Sequence, residues 1–240
     1  MLYVILALSG LITGSVGLYL EPLLIAHRPE DGPAKQRGGP ILSLVPIVGA
    51  FFLVPQPSDD ETVQPTIPTR SFSIQALVLE IILAAVFVAL GWRFSDHTQL
   101  ALACVYTALL FEMALIDFHY RLVLNVISYP SAVIALAGGT IWSGIGIGSS
   151  LLGGAVALIL FFVIELVGRG AMGRGDTKLA TVIGLMRGYP SVWTALVLGI
   201  VTGGIIAGLL VLSGQGRRST FAYGPALAIG AVASFFVGRI

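Results

Sequence analysis

Apolar runs long enough to cross a membrane recur along this chain, at residues 2–20, 72–92, 98–116, 123–142, 146–168, 190–213 and 221–239. A helix needs roughly 20 apolar residues to span the hydrocarbon core of a bilayer. A shorter run, 177–188, follows a Gly-Arg-Gly-Asp turn; counting it gives eight spans, and omitting it leaves the apolar stretch 179–186 in a loop. We therefore expect an all-α, polytopic membrane protein with about eight transmembrane helices. Only 10% of the residues are charged, against about 25% in soluble domains, and the mean hydropathy is +0.96. The lipid bilayer is the expected surrounding, and the net charge of +1 gives no reason to expect nucleic acid. The single cysteine, Cys104, excludes an intrachain disulfide and a multi-cysteine zinc site, and no metal is expected. No Lys or Arg precedes Arg28, so the first run reads as a retained membrane helix rather than a cleaved signal peptide.

The main polar segment is 21–71, with Pro22, Pro29, Pro33, Pro40, Pro57, Pro65 and Pro68 and an acidic cluster at Asp59, Asp60 and Glu61. It reads as a loop with little regular structure, and its apolar part, 40–55, as interfacial. Two regions follow: 1–71, a first helix with a Pro-rich loop, and 72–240, a membrane-embedded domain. Gly153, Gly154, Gly203, Gly204 and Gly208 lie in spans, where small residues let helices approach closely, so packing is their default role. With eight spans and the N-terminus outside, ten basic residues fall inside and Arg93, Arg187 and Arg239 outside. A seven-span arrangement gives the same ten against three. Both put Asp117 and Asp176 at the cytoplasmic boundary.

Acidic residues in or beside membrane spans are costly and need a reason. Glu80, Glu112, Asp117, Glu165 and Asp176 are the candidates. Asp117 ends an apolar run and is followed by Phe118-His119-Tyr120-Arg121; it reads either as a functional carboxylate or as a helix-end residue paired with Arg121. Asp176 sits in Gly173-Arg174-Gly175-Asp176-Thr177-Lys178-Leu179. The glycines make an open turn through which a substrate backbone could approach; the plainer reading of Asp176 is a helix N-cap. The pair says more than either residue. Two carboxylates at one depth can share a proton, because like charges held close push their pKa values apart. One then activates a water and the other protonates an amide carbonyl oxygen, with no metal or serine nucleophile.

At these residues the chain resembles the type IV prepilin peptidases. Asp117 with Arg121 and Asn125 is similar to the family's first aspartate motif. Gly173-Arg174-Gly175-Asp176-Thr177-Lys178-Leu179 is similar to its second. Phe221-Ala222-Tyr223-Gly224-Pro225 resembles the Phe-Gly-Pro before the family's final helix, and the helix around Glu80 resembles the one bearing its intramembrane glutamate. The likeness runs in order over 72–240. Val123 and Leu124 stand in place of Ile-Pro, Thr177 in place of an aliphatic residue, and segment 21–71 lacks the family's Cys-x-x-Cys pairs. Gly14-Ser15 is a faint echo of the Gly-Ser-Phe-Leu-Asn at the end of the family's first helix.

The resemblance implies an aspartic endopeptidase that removes the basic leader of type IV prepilins or pseudopilins at the cytoplasmic face of the cell membrane. It implies Asp117 and Asp176 as the catalytic dyad, with Gly173 and Gly175 shaping the turn. Lys178 would orient Asp176 or meet the substrate backbone, and Arg121, Asn125 and Glu80 would support the site. Many relatives also methylate the new N-terminus with S-adenosylmethionine, an activity associated with the first loop. The alternatives are a signal-peptide-peptidase-like protease, favoured by Pro225-Ala226-Leu227, a small membrane transporter using the intramembrane glutamates, and a catalytically dead relative that only binds pilins.

Overall fold

The computed structural model describes residues 1–26, 74–142, 144–168, 173–212 and 222–237. Eight α-helices occur among them: α1 Leu2–Ala26, α2 Ile74–Arg93, α3 His97–Tyr120, α4 Asn125–Ile141, α5 Gly146–Val167, α6 Arg174–Arg187, α7 Val192–Leu212 and α8 Gly224–Ser234. Each apolar run has become one helix, with ends shifted by a few residues. α1 takes in the start of the 21–71 segment; the rest of that segment, with 40–55, lies outside the described residues. α3, α5 and the stretch Val192–Leu209 of α7 are long and apolar enough to cross a membrane, while Leu2–Gly17, α4 and α8 are shorter apolar helices. The chain is an all-α, polytopic membrane protein.

By compactness the chain divides at Arg93, into α1 with α2 and then α3 to α8. Within the first unit, α1 and α2 lie close enough that a Cβ on Gly10 would come within 2.6 Å of the Ala84 Cα. Ser15 donates its hydroxyl to Glu80 Oε1 at 3.1 Å, and Glu80 is fully buried.

In the second unit, α5 and α7 leave large apolar side chains exposed, among them Leu152, Ile159, Phe162, Val201, Ile205 and Leu209. These are faces suited to lipid. α6 is the opposite: Leu179, Ala180, Val182, Ile183, Met186 and even Arg187 are buried. A helix enclosed by other helices shows no perimeter to lipid, so it needs neither full length nor uniform apolarity. That is why the run behind α6 looked too short. α6 passes alongside α8 from end to end. Its first turn lies by the start of α8, and at its last residue Arg187 donates to the Ser234 carbonyl at 3.1 Å, its guanidinium 4.6 Å from the Phe235 ring centroid. Trp142 stacks between Tyr106 and Phe235 at that end, at centroid distances of 6.1 and 5.8 Å.

The α5–α6 approach is a backbone contact. A Cβ on Gly184 would collide with the Gly153 carbonyl oxygen and come within 2.8 Å of the Ala157 Cβ. Gly153, Gly154 and Gly203 also pack against neighbours. Gly204 and Gly208 do not: nothing among the described residues lies within 4 Å of where their Cβ atoms would be, which corrects the packing role expected for them. We expect Gly184→Ala to cost about 1–3 kcal/mol through overpacking, because backbone cannot step aside. Gly204→Ala should leave the unfolding midpoint in detergent at or above wild type. Equal midpoints for the two variants would contradict the contact.

Candidate active site

Asp117 lies in the last turn of α3, not beyond it, and is buried. α3 stops at Arg121, whose left-handed backbone (φ 55°) lets its N–H bond the Asp117 carbonyl at 2.8 Å. The Asp117 carboxylate turns the other way. Its Oδ2 accepts the Gly224 N–H at 2.8 Å, a bond across 107 residues. Gly224 is the first residue of α8, and the first N–H groups of a helix have no partner within it. Pro225 supplies no N–H next to it. A side chain at 224 would enter the Asp117 carboxylate, with its Cβ 2.8 Å from Asp117 Cγ.

Asp176 is the third residue of α6, so it is not the N-cap; Gly173 is. The half-buried carboxylate reaches back, and Oδ2 accepts the Gly173 N–H at 3.3 Å. Asp176 N–H returns a bond to the Gly173 carbonyl at 3.0 Å. This is the acid's half of a capping box, in which a glycine cap has no side chain to supply the other half. Burial pushes the Asp176 pKa up to about 6, the nearby Asp117 charge adds to the rise, and the Gly173 N–H opposes it. Asp117 and Asp176 are therefore electrostatic neighbours. Tyr223 stands at the same place: burial, then the charge of Asp176, raises its phenol. Its ring fills the room left by Gly203, where a Cβ would collide with it.

The two glycines of the turn differ. A Cβ on Gly173 would meet nothing nearer than 3.8 Å, whereas one on Gly175 would come within 2.9 Å of Val123 Cγ2. Lys178 donates its ammonium to Asn125 Oδ1 at 2.7 Å, tying α6 to the first residue of α4. The structure thus places Lys178 on Asn125. Asp117, Asp176, Gly173, Gly175, Lys178, Asn125 and Arg121 all belong to the second unit; Glu80 belongs to the first, with Ser15 as partner.

Residues 104–208 match the model of the type IV leader peptidase family. Over that stretch the chain is similar to this family. It is 29% identical over 165 residues to a prepilin leader peptidase/N-methyltransferase of Bacillus subtilis, covering 66% of this chain and 64% of that one. A protein of the same name from Xanthomonas campestris is 27% identical over 176 residues, covering 71% and 61%. The chain thus spans under two thirds of the length of these curated relatives. No solved structure gives a significant match. Within the leader peptidase frame, Pro225-Ala226-Leu227 is the first turn of α8, the turn that brings Gly224 to Asp117.

Sequence reasoning missed Gly224 and Tyr223 as members of the site, although it singled out the segment that holds them. It also gave Glu165 no role. Glu165 Oε2 accepts the Thr177 hydroxyl at 2.9 Å, and Oε1 lies 3.6 Å from Arg174 Nε. An acid near the end of one span and a hydroxyl where an aliphatic residue is usual were the available signals.

Proposed function

We propose that this chain is an aspartic endopeptidase that removes the leader of type IV prepilins or pseudopilins, with Asp117 and Asp176 as the catalytic dyad. The observation that carries the reading is that the charge of Asp117, whose carboxylate accepts the Gly224 N–H at the start of α8, bears on Asp176. The names of the relatives support the substrate class.

Asp176, raised by burial and by the nearby Asp117 charge, is assigned as the proton holder, and Asp117, whose charged form the Gly224 N–H supports, as the base. Asp117 takes a proton from a water whose oxygen bonds to the scissile carbonyl carbon, while Asp176 gives its proton to the carbonyl oxygen. The tetrahedral diol then collapses. The C–N bond breaks, Asp117 protonates the leaving nitrogen, and Asp176 recovers a proton from a diol hydroxyl. This reaction needs no cofactor. N-methylation with S-adenosylmethionine is the second activity in the relatives' names; the resemblance ties it to the first loop, of which the structure describes only 21–26, and no step is routed through it.

The reading places the site at the cytoplasmic boundary of the cell membrane, with eight crossings and the N-terminus outside. The ten-to-three distribution of basic residues supports that orientation, as does the position of Arg121, Arg174 and Lys178 at the site end of the bundle with Arg187 at the other. The substrate's apolar helix would lie in the bilayer beside this bundle.

The test is incubation of the purified full chain in detergent with a model prepilin, reading the cut by mass. A cut at the leader border, absent in Asp117→Asn and Asp176→Asn, supports the assignment; an intact prepilin under conditions where a known family member cuts it refutes it. A pH profile adds a second check. Because the pKa of Asp176 is raised, its acid form is present below about 6 and lost as pH rises through that value. kcat/KM should therefore fall above an apparent pKa of about 6, a value belonging to the pair. Bound substrate displaces water from both carboxylates, so the limb in kcat should lie at higher pH. An alkaline limb that is absent from both parameters contradicts Asp176 as the acid.

A further inference from the structure

The direction of the Asp176 carboxylate depends on the first turn of α6, and helix ends are where backbone bonds are fewest. Gly173 and Gly175 offer that turn no side-chain anchors. From outside, Lys178 on Asn125 Oδ1 ties the next residue of α6 to α4, and Glu165, near the end of α5, grips the residues that flank Asp176. One carboxylate holds both flanks of Asp176: Oε2 accepts a hydrogen bond from the Thr177 hydroxyl at 2.9 Å, and Oε1 faces Arg174 Nε at 3.6 Å. The two contacts differ in environment. Thr177 is 6% exposed, whereas the Arg174 side chain is 93% exposed and its ion pair is screened by solvent. The part-buried hydroxyl bond is therefore the stronger constraint.

We propose that Glu165 is a positioning residue for the dyad, acting through Thr177 to fix the first turn of α6 and with it the aim of Asp176. This rests on the peptidase reading given above. The remainder of α6 is held independently, by the Gly153–Gly184 backbone contact and by Arg187 on the Ser234 carbonyl. Losing Glu165 should loosen the turn without unfolding the helix. Its effect belongs in kcat, since misplacing a reacting group by about 1 Å can cost on the order of a hundredfold in rate.

The experiment compares wild type, Glu165→Gln, Glu165→Leu, Thr177→Val and the Leu/Val double variant, all as the full chain. It measures kcat and KM on a model prepilin, the thermal midpoint, and amide hydrogen exchange over 173–180. Gln still offers an oxygen to Thr177, so Glu165→Gln should keep kcat within about threefold of wild type. Glu165→Leu and Thr177→Val should each lower kcat about tenfold, with KM and midpoint unchanged and exchange in the first turn faster. The double variant should be no worse than the poorer single, because both ends of one bond are gone. Wild-type kcat and exchange in both singles, losses that multiply in the double, or losses that follow a falling midpoint would overturn the proposal. Should wild type cut no prepilin, the peptidase reading fails by itself; exchange then decides the positioning, and unchanged protection in both singles rejects it.

Discussion

Replacing either Asp117 or Asp176 by Asn should lower leader cleavage by about a thousandfold, in keeping with the loss of a general acid or base. Asn has the shape of Asp, and its carbonyl oxygen can still accept the Gly224 N–H at position 117 or the Gly173 N–H at 176, bonds of 2.8 and 3.3 Å in the native chain. What disappears is the titrating group. At 117 no base remains to take the proton of water; at 176 no proton remains for the carbonyl oxygen. The two residues act as one unit, so the double variant should be scarcely worse than either single. The measurement is the initial rate of leader release, beside thermal unfolding to show that each variant is folded. A variant that keeps a tenth of the wild-type rate is incompatible with a dyad.

Much of this was readable in the sequence, for physical reasons that differ from place to place. The helices were legible because a bilayer demands long apolar runs, and every such run became a helix. Asp117 and Asp176 stood out because a carboxylate beside an apolar run has few harmless explanations. The departures from the family pattern were visible but could not be interpreted without coordinates. Val123 turns out to lie where a Cβ on Gly175 would reach it, at 2.9 Å, and Thr177 is the hydroxyl that Glu165 accepts. The faint echo at Gly14-Ser15 proves to be the partner of Glu80. Two features were hidden for a deeper reason. Gly224 contributes a backbone N–H, which no residue identity advertises, and it meets a carboxylate 107 positions away. α6 looked marginal because apolar run length measures contact with lipid, whereas α6 is enclosed by protein.

Gly224→Ala should lower kcat by about a hundredfold, although it adds one methyl group to a residue with no side chain of its own. The Cβ would enter the space of the Asp117 carboxylate, 2.8 Å from its Cγ and 3.0 Å from its Cβ. A long side chain could swing away from such a contact. Asp117 cannot, because its Cβ is fixed to α3 and its Oδ2 is already bonded to the N–H of the residue being changed. Either the carboxylate rotates off that N–H or the start of α8 moves away from α3. In both cases Asp117 leaves its place opposite Asp176, and the donor that supports its charged form is lost. The Tyr223 ring, one residue earlier and seated on Gly203, moves with the same turn. Pro225→Ala is the informative comparison. It alters the neighbouring residue of α8 and puts no carbon toward Asp117, its one new group there being the N–H that Pro225 lacks, and should stay within about fivefold of wild type if only the cost of a helix start is involved. Measuring kcat, KM and the thermal midpoint for both separates the explanations. A fall in kcat confined to Gly224→Ala, at unchanged midpoint, locates the effect in the carboxylate; equal falls in both variants would mean that the stability of the α8 start matters rather than its hydrogen bond to Asp117.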